Sequence, residues 1–161
     1  MARVCLSRVS AFRTRVAAVV LLREPDGAAL LQHRDDKPGL PHANMWVPPG
    51  GHCDDSESWT TCAAREFFEE TEYRCRNLRY LTEIDVDDVP DSPPFRLAVY
   101  WDVYDGRQAV VCREGQALAF IDRAQAPVLA VPGFLIDLWD QALNAWKAHT
   151  ADTGDTNVRR A

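Results

Sequence analysis

Three glutamates stand at helical spacing near the middle of the chain, at Glu66, Glu69 and Glu70. In a helix, residues at positions i, i+3 and i+4 share one face. Carboxylates placed in this way repel one another by roughly a few tenths of a kcal/mol per pair. A divalent cation would remove that penalty, and clustered oxygen ligands suit magnesium or manganese better than zinc. A solvated acidic helix face is the alternative interpretation of the same pattern.

The residues around the glutamates favour a metal site over a solvated face. The run Pro48–Gly51 precedes the predicted helix, and its glycines would let backbone groups approach a metal or a phosphate closely. Arg65 lies beside the cluster and can hold Glu57 or a phosphate through its planar guanidinium. We therefore predict that the segment from Gly51 to Tyr73 binds a divalent metal.

This segment resembles the Nudix box. The family pattern places a glycine, a glutamate, an arginine–glutamate pair, two adjacent glutamates, a second glycine and a bulky apolar residue at fixed spacing. Glu72 stands where the pattern has its second glycine, and a glutamate in the left-handed conformation costs roughly 1–2 kcal/mol. We therefore expect the helix to end differently from the family pattern or to run slightly longer. The positions that match are Gly51, Glu57, Arg65, Glu66, Glu69, Glu70 and Tyr73.

The resemblance implies a fold and a set of residue roles. The fold is in the α/β class, a Nudix-like α/β/α sandwich with a mixed β-sheet. Glu69 and Glu70 would be the principal magnesium ligands, with manganese a possible substitute. Glu66 would bind metal or activate a water, and the Gly51 carbonyl would complete the ligand set. The remaining two residues, Glu57 and Arg65, would orient the cluster.

The resemblance also implies an activity, a magnesium-dependent hydrolysis of the diphosphate linkage in a nucleoside diphosphate joined to another group. The substrate classes are nucleotide sugars, ADP-ribose, dinucleoside polyphosphates and modified nucleoside triphosphates. Two alternatives remain open. One is an inactive nucleotide-binding or regulatory module, suggested only by Glu72. The other is an isoprenoid diphosphate isomerase, which would need Cys53 or Cys62 as a reactive thiol facing the metal.

Several residues outside the glutamate helix are further candidates. Glu114 lies in a polar break before an apolar run, where it could ligate metal or act as a general base. Arg34 follows a predicted strand and could contact phosphate, and Gly50 could approach the substrate. Trp46, next to the glycine loop, is the best placed of four aromatic residues that could stack on a base, although such residues more often pack in the core. The other three are Phe12, Phe95 and Trp101.

The rest of the pattern predicts the elements that position these residues. Valine-rich and alternating runs predict strands, and two apolar stripes at helical spacing predict helices. We expect residues 1–12 to form an N-terminal extension, residues 13–148 the domain, and residues 149–161 a flexible tail. In the first helix, Ser58 should be the N-cap and the sheet-packing face should centre on Ala64 and Phe67. The predicted strands are Arg15–Leu22, Ala28–His33, Arg79–Val86, Phe95–Tyr104 and Ala117–Ile121, and the helices are Ser58–Thr71 and Pro132–Ala148. Met45–Val47 is a short apolar run that Pro48–Gly51 breaks.

The composition limits the class of protein. The chain has 161 residues, of which 47% are hydrophobic, with a net charge of −6. The length is enough for one domain. The negative net charge shows no sign of the basic surface of a nucleic-acid binder. No apolar run has the length of a membrane span, so we expect a cytoplasmic monomer or homodimer whose partner is a small nucleotide, with no nucleic acid and no membrane. The five cysteines lack the spacing of a disulfide framework, and we expect them to be reduced.

Overall fold

The computed structural model describes residues 14–158, with side chains through residue 153. The predicted N-terminal extension at residues 1–12, which includes Phe12, lies outside the described residues. The described residues form seven strands, two α-helices and one short 3-10 helix, of which the two short strands Trp46–Val47 and Gly50–His52 and the 3-10 helix were not predicted. The strands are β1 (Thr14–Leu22), β2 (Ala29–His33), β3 (Trp46–Val47), β4 (Gly50–His52), β5 (Arg79–Val86), β6 (Phe95–Val103) and β7 (Ala117–Ile121), and the helices are α1 (Trp59–Thr71), the 3-10 helix (Arg123–Val128) and α2 (Gly133–Val158).

The strands form one mixed sheet with β1 at its centre. β1 pairs in parallel with β6 along its whole length and antiparallel with β4. β1 and β2, which are consecutive in the chain, meet in a single antiparallel pair, Leu22 opposite Ala29. Beyond that pair, β2 binds β3 and β7 instead. The mixed sheet therefore confirms the predicted fold class.

A strand at the centre of a sandwich is buried on both faces, which explains why β1 reads as a continuous apolar run. Ala17, Val19 and Leu21 face α1, in a cluster that includes Ala63 and Phe67. The alternate residues of β1 face α2, where they pack with Leu135, Leu138, Trp139 and Ala142. The two helices thus cover opposite faces of the sheet and hold its site-bearing edge rigid.

Helix α1 begins as predicted but presents a different face to the sheet. The Ser58 side chain accepts a hydrogen bond from the Thr61 backbone, which confirms the N-cap. The predicted face centred on Ala64 is wrong, because Ala64 is exposed and Ala63 is fully buried. The rotation by one residue also buries Glu70. A stripe read from apolar residues alone missed this, because two consecutive alanines fit either face equally well.

The end of α1 adopts the conformation that glycine would favour. The helix ends at Thr71, and Glu72 takes a left-handed φ of 56° as its C-cap. The expectation of a different or longer helix end is therefore wrong. The Glu72 carboxylate accepts a hydrogen bond from Arg113 Nε at 2.6 Å, so it points to the loop before β7.

Two other expectations from the sequence need correction. Cys53 and Cys62 form a disulfide that joins the residue after β4 to the first turn of α1, so the cysteines are not all reduced. Their separation of nine residues resembles no common sequence signature, and only the approach of β4 to α1 brings them together. The second correction is at α2, which continues to Val158 rather than ending at Ala148. That residues 149–161 are flexible stays a prediction.

Candidate active site

A cavity of about 540 Å³ opens where β4, α1 and the loop before β7 meet. Its walls include three of the predicted carboxylates, Glu66, Glu70 and Glu114, although Glu114 is far from the other two in sequence. Arg34 and the backbone at Gly50 and Gly51 line the same cavity, as its remaining predicted members. A divalent cation, a carboxylate base and a phosphate could all be accommodated here.

Glu70 is the most deeply placed of these carboxylates, with an exposed fraction of 6%. Its Oε2 accepts hydrogen bonds from the Gly50 backbone N–H at 3.1 Å and from Gln32 Nε2 at 3.3 Å. Burial, together with the nearby charge of Glu114, raises the pKa of Glu70 to about 8. Two neutral donors do not compensate the charge of a buried carboxylate, so this group is suited to a cation.

Gln32 was missed by the sequence analysis. It is fully buried in β2, and besides Glu70 it donates to the backbone carbonyl of Glu114 at 3.1 Å. One amide thus links the glutamate of α1 to the loop that carries Glu114. The sequence offered one signal, the amide of Gln32 directly after the apolar run Ala29–Leu31. A polar side chain that is buried with such a run needs hydrogen-bond partners.

Glu66 lies against the glycine that begins the box. A Cβ placed on Gly51 would lie 2.2 Å from Glu66 Oε2, so only glycine leaves room for the carboxylate in this position. The other oxygen of Glu66 accepts from Arg65 Nη1 at 2.6 Å. The glycine is therefore required by the close approach of a carboxylate, and both residues lie together on the cavity wall.

Arg65 contacts three glutamates of the segment, Glu57, Glu66 and Glu69. Its Nε and Nη2 each lie 2.9 Å from an oxygen of Glu57, and Nη2 also donates to the His52 carbonyl at 3.1 Å. The same guanidinium reaches Glu69 Oε2 at 3.3 Å. Its hydrogen bonds hold the pKa of Glu57 below the usual range. Arg65 thus fixes the loop before α1 to the helix that carries the acids.

Four predicted site residues do not line the cavity, namely Glu57, Arg65, Glu69 and Trp46. Glu69 lies at the exposed edge of α1, with 56% of its side chain accessible, and contacts Arg65. Trp46 stacks on His33, with ring centroids 4.8 Å apart, and packs against the core cluster of α2. Of the other aromatic candidates, Trp101 is buried in the core, whereas Phe95 lines the cavity. That Glu69 ligates metal and Trp46 stacks on a base stay predictions.

The donor atoms at this site suit a hard divalent cation. Glu66, Glu70 and Glu114 offer carboxylate oxygens, and Gly51 lines the same cavity. Oxygen-only ligand sets of this kind are typical of Mg²⁺ and Mn²⁺. Among residues 14–158, no cationic group lies within hydrogen-bond reach of the buried Glu70. This tests the fit of the site to a metal, and it supports such an ion.

Comparison with known proteins agrees with this geometry. The family model described as the NUDIX domain matches residues 13–134. A MutT protein from Methanosarcina mazei Go1 superimposes with a TM-score of 0.69 at 18% identity, over 83% of this chain and 95% of that one. A C. elegans Ap4A hydrolase in a binary complex gives a TM-score of 0.67 at 20% identity, over 84% and 98%. The NUDIX domain of Shewanella oneidensis NrtR, in complex with ADP ribose, gives 0.69 at 18% identity, over 82% and 87%.

Proposed function

The chain belongs to the Nudix family, and on that premise we propose that it is a magnesium-dependent hydrolase of a nucleoside diphosphate linked to another group. The observation that carries the proposal is the convergence of Glu66, Glu70 and Glu114 on one cavity. The family model supports a diphosphate-cleaving activity, and the oxygen ligands support the metal. Structures similar in fold come from proteins described as MutT and Ap4A hydrolase, which favours nucleotide substrates.

Each residue of the site has a proposed role. Glu66, Glu69, Glu70 and the Gly51 carbonyl would hold the cation, with Arg65 and Glu57 fixing their positions. A bound Mg²⁺ supplies charge neutralisation on the diphosphate and lowers the pKa of water. Arg34 would bind a phosphate oxygen from the cavity wall, and Gly50 would let the phosphate approach the backbone. Glu114 would accept the proton of the attacking water as general base.

The two alternative functions are less well supported. The isomerase would need a free thiol at the metal, but Cys53 and Cys62 are joined in a disulfide. The inactive module was suggested by Glu72, whose carboxylate is paired with Arg113 at the C-terminal end of α1. The isomerase therefore lacks its free thiol. Glu72 gives the inactive module no support, because the helix ends in the left-handed conformation that glycine would adopt.

The test of the proposed function is a panel assay. The protein is incubated with ADP-ribose, nucleotide sugars, dinucleoside polyphosphates and oxidised deoxynucleoside triphosphates, with Mg²⁺, with Mn²⁺, or with EDTA. The proposal expects at least one substrate to be cleaved at its diphosphate linkage with either metal and none with EDTA. Tight binding without release of product from any substrate would support the inactive module instead.

The proposed role of Glu114 has its own test. Glu114→Gln keeps the size of the side chain and removes the base, so kcat should fall by about 10²–10⁴-fold while the affinity for Mg²⁺ changes little. If the affinity for the metal falls as steeply as kcat, Glu114 is a ligand and not a base.

A further inference from the structure

Gln32 is a polar side chain at a position of β2 that faces the core. Its exposed fraction is 1%, and it lies two residues after Leu30, which packs in the core cluster of α1. Residues two apart in a strand share a face, so Gln32 also faces α1. Burying an amide is unfavourable unless its hydrogens find acceptors. The partners of Gln32 therefore show what this residue does in the protein.

The amide nitrogen of Gln32 joins two residues that are far apart in the sequence. Nε2 donates to Glu70 Oε2 at 3.3 Å and to the main-chain carbonyl of Glu114 at 3.1 Å. A side-chain amide carries two hydrogens, so these two acceptors use its whole donor capacity. One buried group thus connects the helix that carries a predicted metal ligand to the loop that carries the predicted base.

The contact with Gln32 leaves one oxygen of Glu70 for a cation. Oε2 also accepts from the Gly50 backbone N–H at 3.1 Å, so two donors hold the same oxygen. In the described part of the chain, Oε1 makes no hydrogen bond and is not among the buried unpaired atoms. It is therefore accessible from the cavity that Glu70 lines. Gln32 and Gly50 together fix the orientation in which Glu70 presents this free oxygen.

The segment that carries Glu114 lies closely against β2. The next residue, Gly115, has a left-handed φ of 81°. A Cβ on Gly115 would lie 2.4 Å from the His33 carbonyl oxygen and 3.1 Å from Gln32 Cγ. The glycine is therefore required by the close approach of the loop to the strand, and this approach brings the Glu114 carbonyl within reach of the amide.

Glu114 lies between two backbone anchors of its loop. The N–H groups of Arg113 and Gln116 donate to main-chain carbonyls of α1 and β2 at 3.0 and 2.7 Å. Between these anchors the Glu114 carbonyl accepts from Gln32. The exposed thiol of Cys112 lies 3.2 Å from the same carbonyl, but a thiol is a weak donor. Gln32 therefore provides the strong hydrogen bond that fixes Glu114 itself.

We propose that Gln32 is a positioning residue, whose amide holds Glu114 at a fixed place relative to Glu70 and so aligns the proton acceptor with the metal ligand. The inference rests on the proposed function for the roles of the two glutamates. A catalytic group displaced by about 1 Å loses about 10²-fold in rate. A side chain that only filled space here would be replaceable by an apolar one of similar size, whereas this role requires the amide hydrogens.

The first test follows the loop itself and needs neither metal nor turnover. Gln32→Met keeps the length of the side chain and removes the donor. In metal-free protein, the backbone amides of Arg113 and Gln116 should exchange their hydrogens at least about tenfold faster than in the wild type, relative to the amides of β1. A loss of overall stability would instead accelerate the loop and β1 equally, and that result would overturn the proposal.

A control and a second variant accompany this measurement. Leu30→Met changes a fully buried side chain on the same face of β2 and should leave exchange in the loop as in the wild type. Gln32→Asn has an amide that is one methylene shorter and cannot span both acceptors. It should accelerate exchange in the loop as Gln32→Met does, which covers the case that Gln32→Met fails to fold. Equal acceleration in Leu30→Met would overturn the proposal.

The second test uses the substrate identified in the panel assay. In Gln32→Met, kcat should fall by about 10–100-fold while KM changes by less than about threefold. In a Glu114→Gln background, the same substitution should lower kcat by less than about threefold, because the group that Gln32 positions is already absent. Losses that multiply in full in the double variant would overturn the proposal. Leu30→Met should retain the wild-type kcat.

The two tests also separate this inference from the proposed function. Faster exchange confined to the loop in Gln32→Met, together with no hydrolysis in the panel assay, would contradict the hydrolase and leave the hold of Gln32 on Glu114 supported. Hydrolysis at the wild-type rate in folded Gln32→Met protein would overturn the role of Gln32 and leave the hydrolase supported.

Discussion

At the scale of single residues, Glu70 carries the largest electrostatic cost of the site. Its pKa in the folded protein is about 8 against an ordinary 4.5. Between these values the folded state holds a proton that the unfolded state has lost, so stability falls as the pH rises through this window. The ionised Glu70 therefore destabilises the metal-free protein, and the same carboxylate is available to bind a cation.

This cost predicts a pH-dependent effect of Glu70→Gln in metal-free protein. Near pH 4.5 the substitution should be almost neutral, because glutamine resembles the protonated acid. At pH 9 it should raise the free energy of unfolding by roughly 2–5 kcal/mol. Urea unfolding in EDTA at both pH values checks this, with the exposed Glu69→Gln as the matched control. Equal effects of Glu70→Gln at both pH values would contradict the account.

Substitution of the adjacent glycines Gly50 and Gly51 should cause two different losses, one of stability and one of Mg²⁺ binding. A Cβ on Gly51 would meet the flexible end of the Glu66 side chain, whereas a Cβ on Gly50 would lie 2.1 Å from the backbone carbonyl of Ala17. Gly51→Ala should therefore weaken Mg²⁺ binding at least tenfold and change stability by less than about 1 kcal/mol. Gly50→Ala should destabilise the fold by roughly 1–3 kcal/mol or more. Calorimetry with Mg²⁺ and chemical unfolding distinguish the two, and identical profiles would contradict the contacts described.

At the scale of elements, the end of α1 holds a glutamate in a conformation that suits glycine. Glu72→Gly should relieve roughly 1–2 kcal/mol of backbone cost, partly offset by the greater freedom of glycine in the unfolded chain. The exposed ion pair with Arg113 contributes little. We expect the Tm to rise by about 1–4 °C. The Tm of Glu72→Ala, which keeps the backbone cost, should not rise. Equal Tm values for the two variants would contradict the backbone explanation.

The disulfide between β4 and α1 predicts an effect of reductant on stability. A crosslink that closes a loop of nine residues stabilises by roughly 2–3 kcal/mol through the unfolded chain. Dithiothreitol should lower the Tm of the wild-type protein by about 5–10 °C. The Cys53→Ala/Cys62→Ala double variant should melt at a lower temperature that does not respond to reductant. A wild-type Tm that is the same with and without reductant would exclude this contribution.

The elements show what the sequence could and could not predict. A continuous apolar run located β1, and apolar residues at strand and helical spacing located β6 and α1, each to within a residue or two. β4 was missed, since Gly50–His52 has no periodic signal and forms a strand only through its pairing with β1. The end of α2 was placed too early, because a polar helix extension leaves no apolar stripe.

The residues of the candidate active site also differ in how well the sequence predicts them. The box residues were predictable because they are adjacent in sequence and their spacing is specific. Glu114 was a weaker candidate, and only the fold places it in the cavity of Glu66 and Glu70. Gln32 is marked only by an amide beside an apolar run, and its partners Glu70 and Glu114 lie on distant segments of the chain. Trp46 illustrates the converse, since an aromatic residue next to the box packs on His33 instead of lining the cavity.

At the scale of the whole molecule, the sandwich brings four separate segments to one edge of the sheet. β2 supplies Gln32 and leads to Arg34, β4 supplies the glycines, α1 the glutamates, and the loop before β7 supplies Glu114. α1 and α2 cover the two faces of the sheet, so its edge is where these segments form a shared cavity. Among residues 14–158 no helix is both long and apolar enough to cross a membrane.

The measurement that tests the central claim most directly is the rate of diphosphate cleavage as a function of Mg²⁺ concentration, for the wild type and for Glu69→Gln and Glu70→Gln. The account predicts a saturable dependence on Mg²⁺ for the wild-type protein with at least one substrate of the panel. Each variant should lose activity by at least about 10²-fold while remaining folded. Full rates in both variants, or cleavage that persists in EDTA, would contradict the assignment of the Gly51–Tyr73 segment as the catalytic metal site.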